Sequence, residues 1–256
     1  MAASTRGPRT RTSPGQLAVR RALAFLTSIG SAAPPNGGTL LWFPAAGFLI
    51  GLIVGTTWWG AAQIWPPVVA AAVALTIDLA VTGVLHFDGL VDTADGLLPP
   101  VSRERRLEIM ADPRAGAFGV VVAASLLLLR WSALASSTPE PLVLAGLWCA
   151  SRSVASGSIL AVPYARPDGL AASFAGETST QFSRLLALAV VGIVLSVGPA
   201  SVGAGWLGLI ACAGCFAGGL GVITWAQDRL GGFTGDVLGA AIVVGETAGL
   251  LLLAVR

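Results

Sequence analysis

Val68-Val69-Ala70-Ala71-Ala72-Val73-Ala74-Leu75-Thr76-Ile77-Asp78-Leu79-Ala80-Val81-Thr82-Gly83-Val84-Leu85 runs straight into His86-Phe87-Asp88-Gly89-Leu90-Val91-Asp92-Thr93-Ala94-Asp95-Gly96. The first part is apolar apart from Asp78. As a helix it covers roughly 27 Å, enough to cross a bilayer core. The second part holds three of the chain's 13 acidic residues and no Lys or Arg. If it is helical too, Asp88, Asp92 and Asp95 stand at i, i+4 and i+7, within a sector of about 60°. Carboxylates crowded in this way repel one another unless a cation sits among them. The stretch therefore predicts a spanning helix that leads into an acidic, cation-seeking cluster at one membrane face.

Composition extends that reading to the whole chain. Of 256 residues, 55% are hydrophobic and only 11% charged, where a soluble domain is about a quarter charged. The expectation is an all-α, polytopic membrane helix bundle forming a single domain over residues 16–256, preceded by a disordered basic tail at 1–15. Residues 16–30 place Leu17, Leu23, Phe25 and Leu26 around Arg20 and Arg21. The arginines interrupt the apolar run instead of preceding it, which argues against a signal peptide or a twin-Arg signal and for an interfacial amphipathic helix. About seven transmembrane helices are predicted: 39–62, 68–85, 116–134, 142–162, 185–197, 206–226 and 237–255. Trp42, Trp58 and Trp59 anchor the first. Pro66-Pro67 reverses the chain after it, and 198–205 is read as a turn.

The charges sort by side. With the N-terminus inside, the turns on the outer face carry a single charge, Glu140. Nearly every Arg falls on the other side, the positive-inside pattern; Arg130 and Arg152, inside spans, and the terminal Arg256 are the exceptions. The same assignment puts the acid-rich loops on the cytoplasmic face. The absence of Lys reflects codon usage in a GC-rich genome and carries no functional reading. No basic patch with interleaved aromatics exists, so nucleic acid is not a partner. Cys149, Cys212 and Cys215 lie in apolar runs, so neither a zinc site nor a structural disulfide is expected.

Three stretches on the predicted cytoplasmic side mix carboxylates with glycine. They are Asp88–Gly96, Arg106–Gly119 with Asp112, and Asp228-Arg229-Leu230-Gly231-Gly232-Phe233-Thr234-Gly235-Asp236. Carboxylates at this density suit Mg²⁺, a hard cation that takes oxygen ligands and bridges to substrate phosphates. Arg114, Arg166 and Arg229 offer forked contacts to phosphate oxygens. Displacement at phosphorus, with a metal neutralising the leaving group, is the chemistry that needs these parts.

The run Leu85-His86-Phe87-Asp88-Gly89-Leu90-Val91-Asp92-Thr93-Ala94-Asp95-Gly96-Leu97 resembles the signature of the cobalamin synthase family, the adenosylcobinamide-GDP ribazoletransferases. Arg106–Gly119, Tyr164-Ala165-Arg166-Pro167-Asp168-Gly169-Leu170 and Gly231–Asp236 resemble further family elements in the same order. The resemblance implies a reaction joining adenosylcobinamide-GDP to α-ribazole, or to α-ribazole 5′-phosphate. GMP is released, and adenosylcobalamin or its 5′-phosphate is formed. It implies Mg²⁺ at Asp88, Asp92 and Asp95, which also form the catalytic set, with Asp112 and Asp236 as further ligands. Arg114, Arg166, Arg229, Gly232 and Thr234 become the substrate-binding candidates. Which carboxylate acts as base stays open. His86 points away from the Asp face and is read as structural. Membrane lipid is an expected partner, and the sequence leaves homo-oligomerisation open.

Other enzymes with Asp-rich helices and Mg²⁺ remain to be weighed. A CDP-alcohol phosphotransferase usually shows Ala-Arg soon after its first Asp-Gly, whereas Asp88-Gly89 is followed by Leu90-Val91-Asp92. A prenyl transferase wants two separated Asp-rich motifs. A cation or corrinoid transporter would place its charges near the midplane of repeated halves, and no internal repeat is evident. Asp78, Arg152 and Glu246 lie deep within spans, where unpaired charge is costly. Arg152 is expected to pair with Glu246 or Asp78; the rival reading is a polar cavity that receives substrate.

Overall fold

The structure, a computed structural model, describes residues 17, 21–24, 26–27, 38–166 and 181–255. The tail at 1–15 and the segment 167–180 lie outside the described residues. Part of the predicted interfacial helix is described. Residues 21–24 are helical, and Ala22 and Leu26, one turn apart, are buried against the bundle.

A 3-10 turn at Leu40–Trp42 leads into α1 (Phe43–Ala62) and α2 (Pro67–Thr82). Next come α3 (Leu85–Leu97), the short α4 (Arg103–Ile109) and α5 (Ala117–Ser136). The chain ends with α6 (Pro141–Ala161), α7 (Gln181–Leu230) and α8 (Gly235–Leu253). Among the described residues the one departure from helix-only pairing is an isolated bridge between Tyr164 and Phe233.

Small residues decide how closely the helices approach. Gly47, Gly51 and Gly55 form one stripe of α1. A Cβ on any of them would collide with the α6 backbone at Trp148, Leu144 and Pro141 respectively. Such contact is the main source of helix association in lipid, where burial of apolar surface drives little. Five segments are long and apolar enough to cross a membrane. One of them, Ser183–Leu230, has 48 residues. As one straight helix it would run roughly 70 Å, far beyond a bilayer core of about 30 Å. It folds back at Ala204 (φ −133°) and Gly205 (φ 56°, ψ −132°), and Cys212 Sγ reaches the Ser196 carbonyl across the hairpin at 3.6 Å. The expected spans at 185–197 and 206–226 are the two limbs of α7, and that at 68–85 is the 16-residue α2, which is too short to count among the five.

Two boundaries differ from expectation. The predicted turn at 198–205 is helical up to its last residues, because Pro199 is accommodated inside the helix and the reversal waits for Gly205, whose backbone angles an L side chain strongly disfavours. The second span ends at Thr82 and not at residue 85. Gly83 (φ 60°) and Val84 (φ 61°) are both left-handed, and the amides of Gly83 and Val84 return to the carbonyls of Ala80 and Leu79 in a Schellman-type stop. The bend between α2 and α3 is 87°. The acidic stretch is therefore helical, but it turns off the line of the span that precedes it.

Candidate active site

α3 carries Asp88 exposed, Asp92 half-buried and Asp95 buried. Its Gly89 lies against the start of α8, where a Cβ would come within 2.8 Å of the Asp236 carbonyl oxygen and 3.0 Å of its Cα. Gly239, one turn further along α8, meets the His86 backbone. These two glycines let α3 cross α8 in close contact, and so bring Asp236 beside the Asp88–Asp92 face.

Arg166 reaches the same place by another route. The Phe233 amide donates to the Pro163 carbonyl at 3.0 Å, and the Ala165 amide donates to the Phe233 carbonyl at 2.8 Å. The Tyr164 and Phe233 rings meet edge to face. This short splice ties the end of α6 to the turn before α8 and leaves Arg166 Nη2 3.2 Å from Asp236 Oδ2 and 3.3 Å from the Met110 carbonyl. Arg103, on α4, secures the splice by donating to the Leu230 carbonyl at 2.6 Å and the Ala165 carbonyl at 3.1 Å. Arg106 is buried and donates to the Gly96 and Leu97 carbonyls, closing the C-terminal end of α3.

Burial first, then the negative charges of Asp236, Asp88 and Asp95, push the Asp92 carboxyl up to about 6, with Arg166 pulling it the other way. The acids are thus close enough to hinder one another's ionisation, with one arginine alongside.

The remaining candidates have other occupations. Asp95 accepts from the Gly116 amide at 2.7 Å and the Gly119 amide at 2.9 Å, so it caps the N-terminus of α5 from a distance. Asp112 and Arg114 form an exposed, two-pronged pair with each other. The Arg114 side-chain and backbone bonds hold the Asp112 carboxyl down at about 2. Thr234 accepts from the Val237 amide as the N-cap of α8, and its hydroxyl also meets Asp236 Oδ2 at 3.3 Å. Gly232 packs against the Pro163 backbone; with Thr234 it builds the turn that presents Asp236. Arg229 is exposed at the end of α7. His86 is buried, with no hydrogen-bond partner for Nε2 among the described residues. Sequence reading missed Gly89, Arg103 and Arg106. The glycine spacing of α3 was the one available signal, and it does not say which helix comes close.

Among the described residues no three His, Cys, Asp or Glu side chains converge into a metal cage. The acids that lie within electrostatic reach of one another, Asp88, Asp92 and Asp236, offer oxygen donors only. That fits Mg²⁺, which is held by one or two carboxylates while substrate phosphates and water complete its shell.

Fold and site together define a polytopic helical membrane protein with a carboxylate–arginine cluster where α3, α6, α7 and α8 meet. Compared with known families, the chain matches the model of CobS, described as cobalamin-5-phosphate synthase, over residues 18–254. It belongs to that family. A protein of Bradyrhizobium diazoefficiens named adenosylcobinamide-GDP ribazoletransferase is 37% identical over 246 residues, covering 92% of each chain. Proteins of the same name from Stutzerimonas stutzeri and Thermosynechococcus vestitus are each 37% identical, over 250 and 228 residues. They cover 92% and 85% of this chain, and 96% and 85% of their own. No solved structure matches.

Proposed function

We propose that this chain is an adenosylcobinamide-GDP ribazoletransferase that assembles the nucleotide loop of cobalamin at the cytoplasmic face of a bacterial inner membrane. The family membership supports the reaction. The contact between Arg166 and Asp236, beside Asp88 and Asp92, supports the location of the chemistry.

GMP leaves with one of the two phosphates of adenosylcobinamide-GDP, so the attacked phosphorus is the one joined to cobinamide. A ribose hydroxyl of α-ribazole, or of its 5′-phosphate, forms the new P–O bond while the P–O bond to GMP breaks. Asp88 and Asp236 would hold Mg²⁺, which would supply charge neutralisation for the diphosphate. Arg166, only partly buried, turns its fork from Asp236 towards phosphate oxygens. Asp92, with its raised proton affinity, accepts the proton of the attacking hydroxyl. Arg103 and Thr234 orient the two strands of the splice so that Arg166 and Asp236 face the same substrate group. Asp112 and Arg114, an exposed pair, contribute long-range charge.

The deciding experiment incubates vesicles carrying the protein with adenosylcobinamide-GDP, α-ribazole and Mg²⁺, and measures GMP. Release that is lost in Asp92→Asn, with the fold intact, supports the assignment. Movement of labelled corrinoid across the vesicle without GMP release would replace it with a transporter.

A further inference from the structure

A crevice of about 330 Å³ lies between α6 and the two limbs of α7, away from the acidic site. Ser153, Val162, Leu185, Ile193, Phe216 and Leu220 are among the residues that line it. It opens sideways from the bundle, where Ile193 is 53% and Leu220 50% exposed. In a chain built of membrane spans, that side faces lipid.

The walls present carbon. The hydroxyls in the lining are engaged by their own helices: Ser153 with the Cys149 carbonyl, Ser158 with Val154 and Thr224 with Gly221. A polar ligand entering here would lose its hydration without replacement, at a cost of about 1–3 kcal/mol per group. An apolar chain would lose nothing.

The length is also informative. From Ser153 to Val162 the α6 wall runs about 14 Å, close to half of a bilayer core of roughly 30 Å. Its deep end adjoins Arg152, which is fully buried in the bundle. Its shallow end adjoins Pro163 and the splice that carries Arg166. The crevice thus has the length of one leaflet, the leaflet on the side of the acidic site. At the shallow end Arg184 precedes the lining residue Leu185, and Gln227 completes the lining. These groups stand at the level where a phosphate headgroup sits.

We propose that this crevice binds one acyl chain of a membrane phospholipid, methyl end against Ser153 and Phe216 and headgroup beside Arg184 and Gln227. The bound chain fills the space between α6 and α7 and supports the end of α6 from which the splice departs.

The test uses the full chain in vesicles of phosphatidylcholine whose acyl chain carries a photoactivatable diazirine, either near the methyl end or near the ester. Labelled positions are mapped by peptide mass spectrometry. The methyl-end probe is expected at the depth of Ser153, Ile193 and Phe216, and the ester-end probe around Val162 and Leu185. Gly157→Leu and Ala189→Phe project into the crevice; at Gly157 an added Cβ meets only Leu185 Cδ1, at 3.9 Å. Either should reduce crevice labelling severalfold while labelling of the exposed α5 face and the thermal midpoint stay unchanged. Equal labelling of crevice and α5 face, unaffected by both substitutions, would overturn the proposal. So would loss of crevice labelling when α-ribazole is added, which would make the crevice a seat for substrate. The readout needs no turnover, so it stands or falls separately from the transferase reaction.

Discussion

Arg130 Nη2 lies 2.9 Å from Asp78 Oδ2, an ion pair formed between α5 and α2 in the interior of the bundle. The same guanidinium reaches Glu246 on α8 at 3.0 Å, and Arg152 on α6 pairs with the other Glu246 oxygen. Ser151 and Trp148 donate to the two carboxylates, Ser151 to Glu246 and Trp148 to Asp78, at 2.9 and 2.8 Å. Two cations and two anions thereby neutralise one another away from water. Arg130 also lies over the rings of Phe87 and Trp148, at 5.7 and 5.3 Å from their centroids, which links the quartet to α3 through the residue before Asp88. Of the two readings open for these charges, the paired one describes the structure, and the hub is Arg130.

Removing that hub leaves the buried Asp78 without its cation and Glu246 with Arg152 alone. Arg130→Met is expected to cost about 3–5 kcal/mol, the usual consequence of breaking a buried pair from one side. Thermal unfolding in detergent reads this directly. A variant as stable as the parent would show that water, not Arg130, neutralises Asp78 and Glu246.

Gly89→Ala pushes a methyl group into the Asp236 backbone. Overpacking of this kind costs about 1–3 kcal/mol, and here it separates α3 from α8. GMP release is expected to fall more steeply than stability, because the substitution moves Asp88 and Asp92 away from Asp236 and Arg166. Parent-like turnover would mean that this crossing does not set the site.

Asp95→Ala removes the acceptor for the Gly116 and Gly119 amides, an expected loss of about 1–2 kcal/mol for a helix cap. Asp95→Asn retains one acceptor and should lose less. Because the carboxylate is already engaged, the Mg²⁺ concentration for half-maximal GMP release should shift little in Asp95→Asn and strongly in Asp88→Asn. Equal shifts would return Asp95 to the metal site.

Asp92 carries the pH dependence. α3 is not one of the five spans, and its Asp92 carboxyl titrates near 6, above the ordinary value of about 3.9. The folded protein therefore binds more protons than the unfolded chain between those limits. Metal-free stability should fall as pH rises from about 4 to 6 and level off above. Mg²⁺ affinity should move the opposite way, weakening as pH drops below 6. Thermal melts across pH, with and without Mg²⁺, test both, and both slopes should shrink in Asp92→Asn.

Asp112 provides the contrast. Held at about 2 by Arg114, it is ionised throughout that range, so Asp112→Asn should leave the pH profile of GMP release in place. A displaced profile would bring this exposed pair into the site.

The sequence by itself determined the class of fold, nearly all of the spans and the acidic stretch. These depend on local composition and period, because a bilayer demands long apolar helices whatever their neighbours are. It also located Asp88, Asp92, Arg166 and Asp236 as candidates through their company of glycine and charge. Only the tertiary structure decided which of them meet. Gly89 and Gly239 permit the α3–α8 crossing, the Tyr164–Phe233 splice carries Arg166 to Asp236, and Asp95 is drawn away to cap α5. Each of these joins residues far apart in the chain, through backbone contact that no local pattern encodes. The stretch at 68–96 shows the division most clearly. Its helices and carboxylates were legible, but the two left-handed residues Gly83 and Val84 turn the acidic helix by 87°. That turn lays the carboxylates across the start of α8, where an arginine from another part of the chain can reach them.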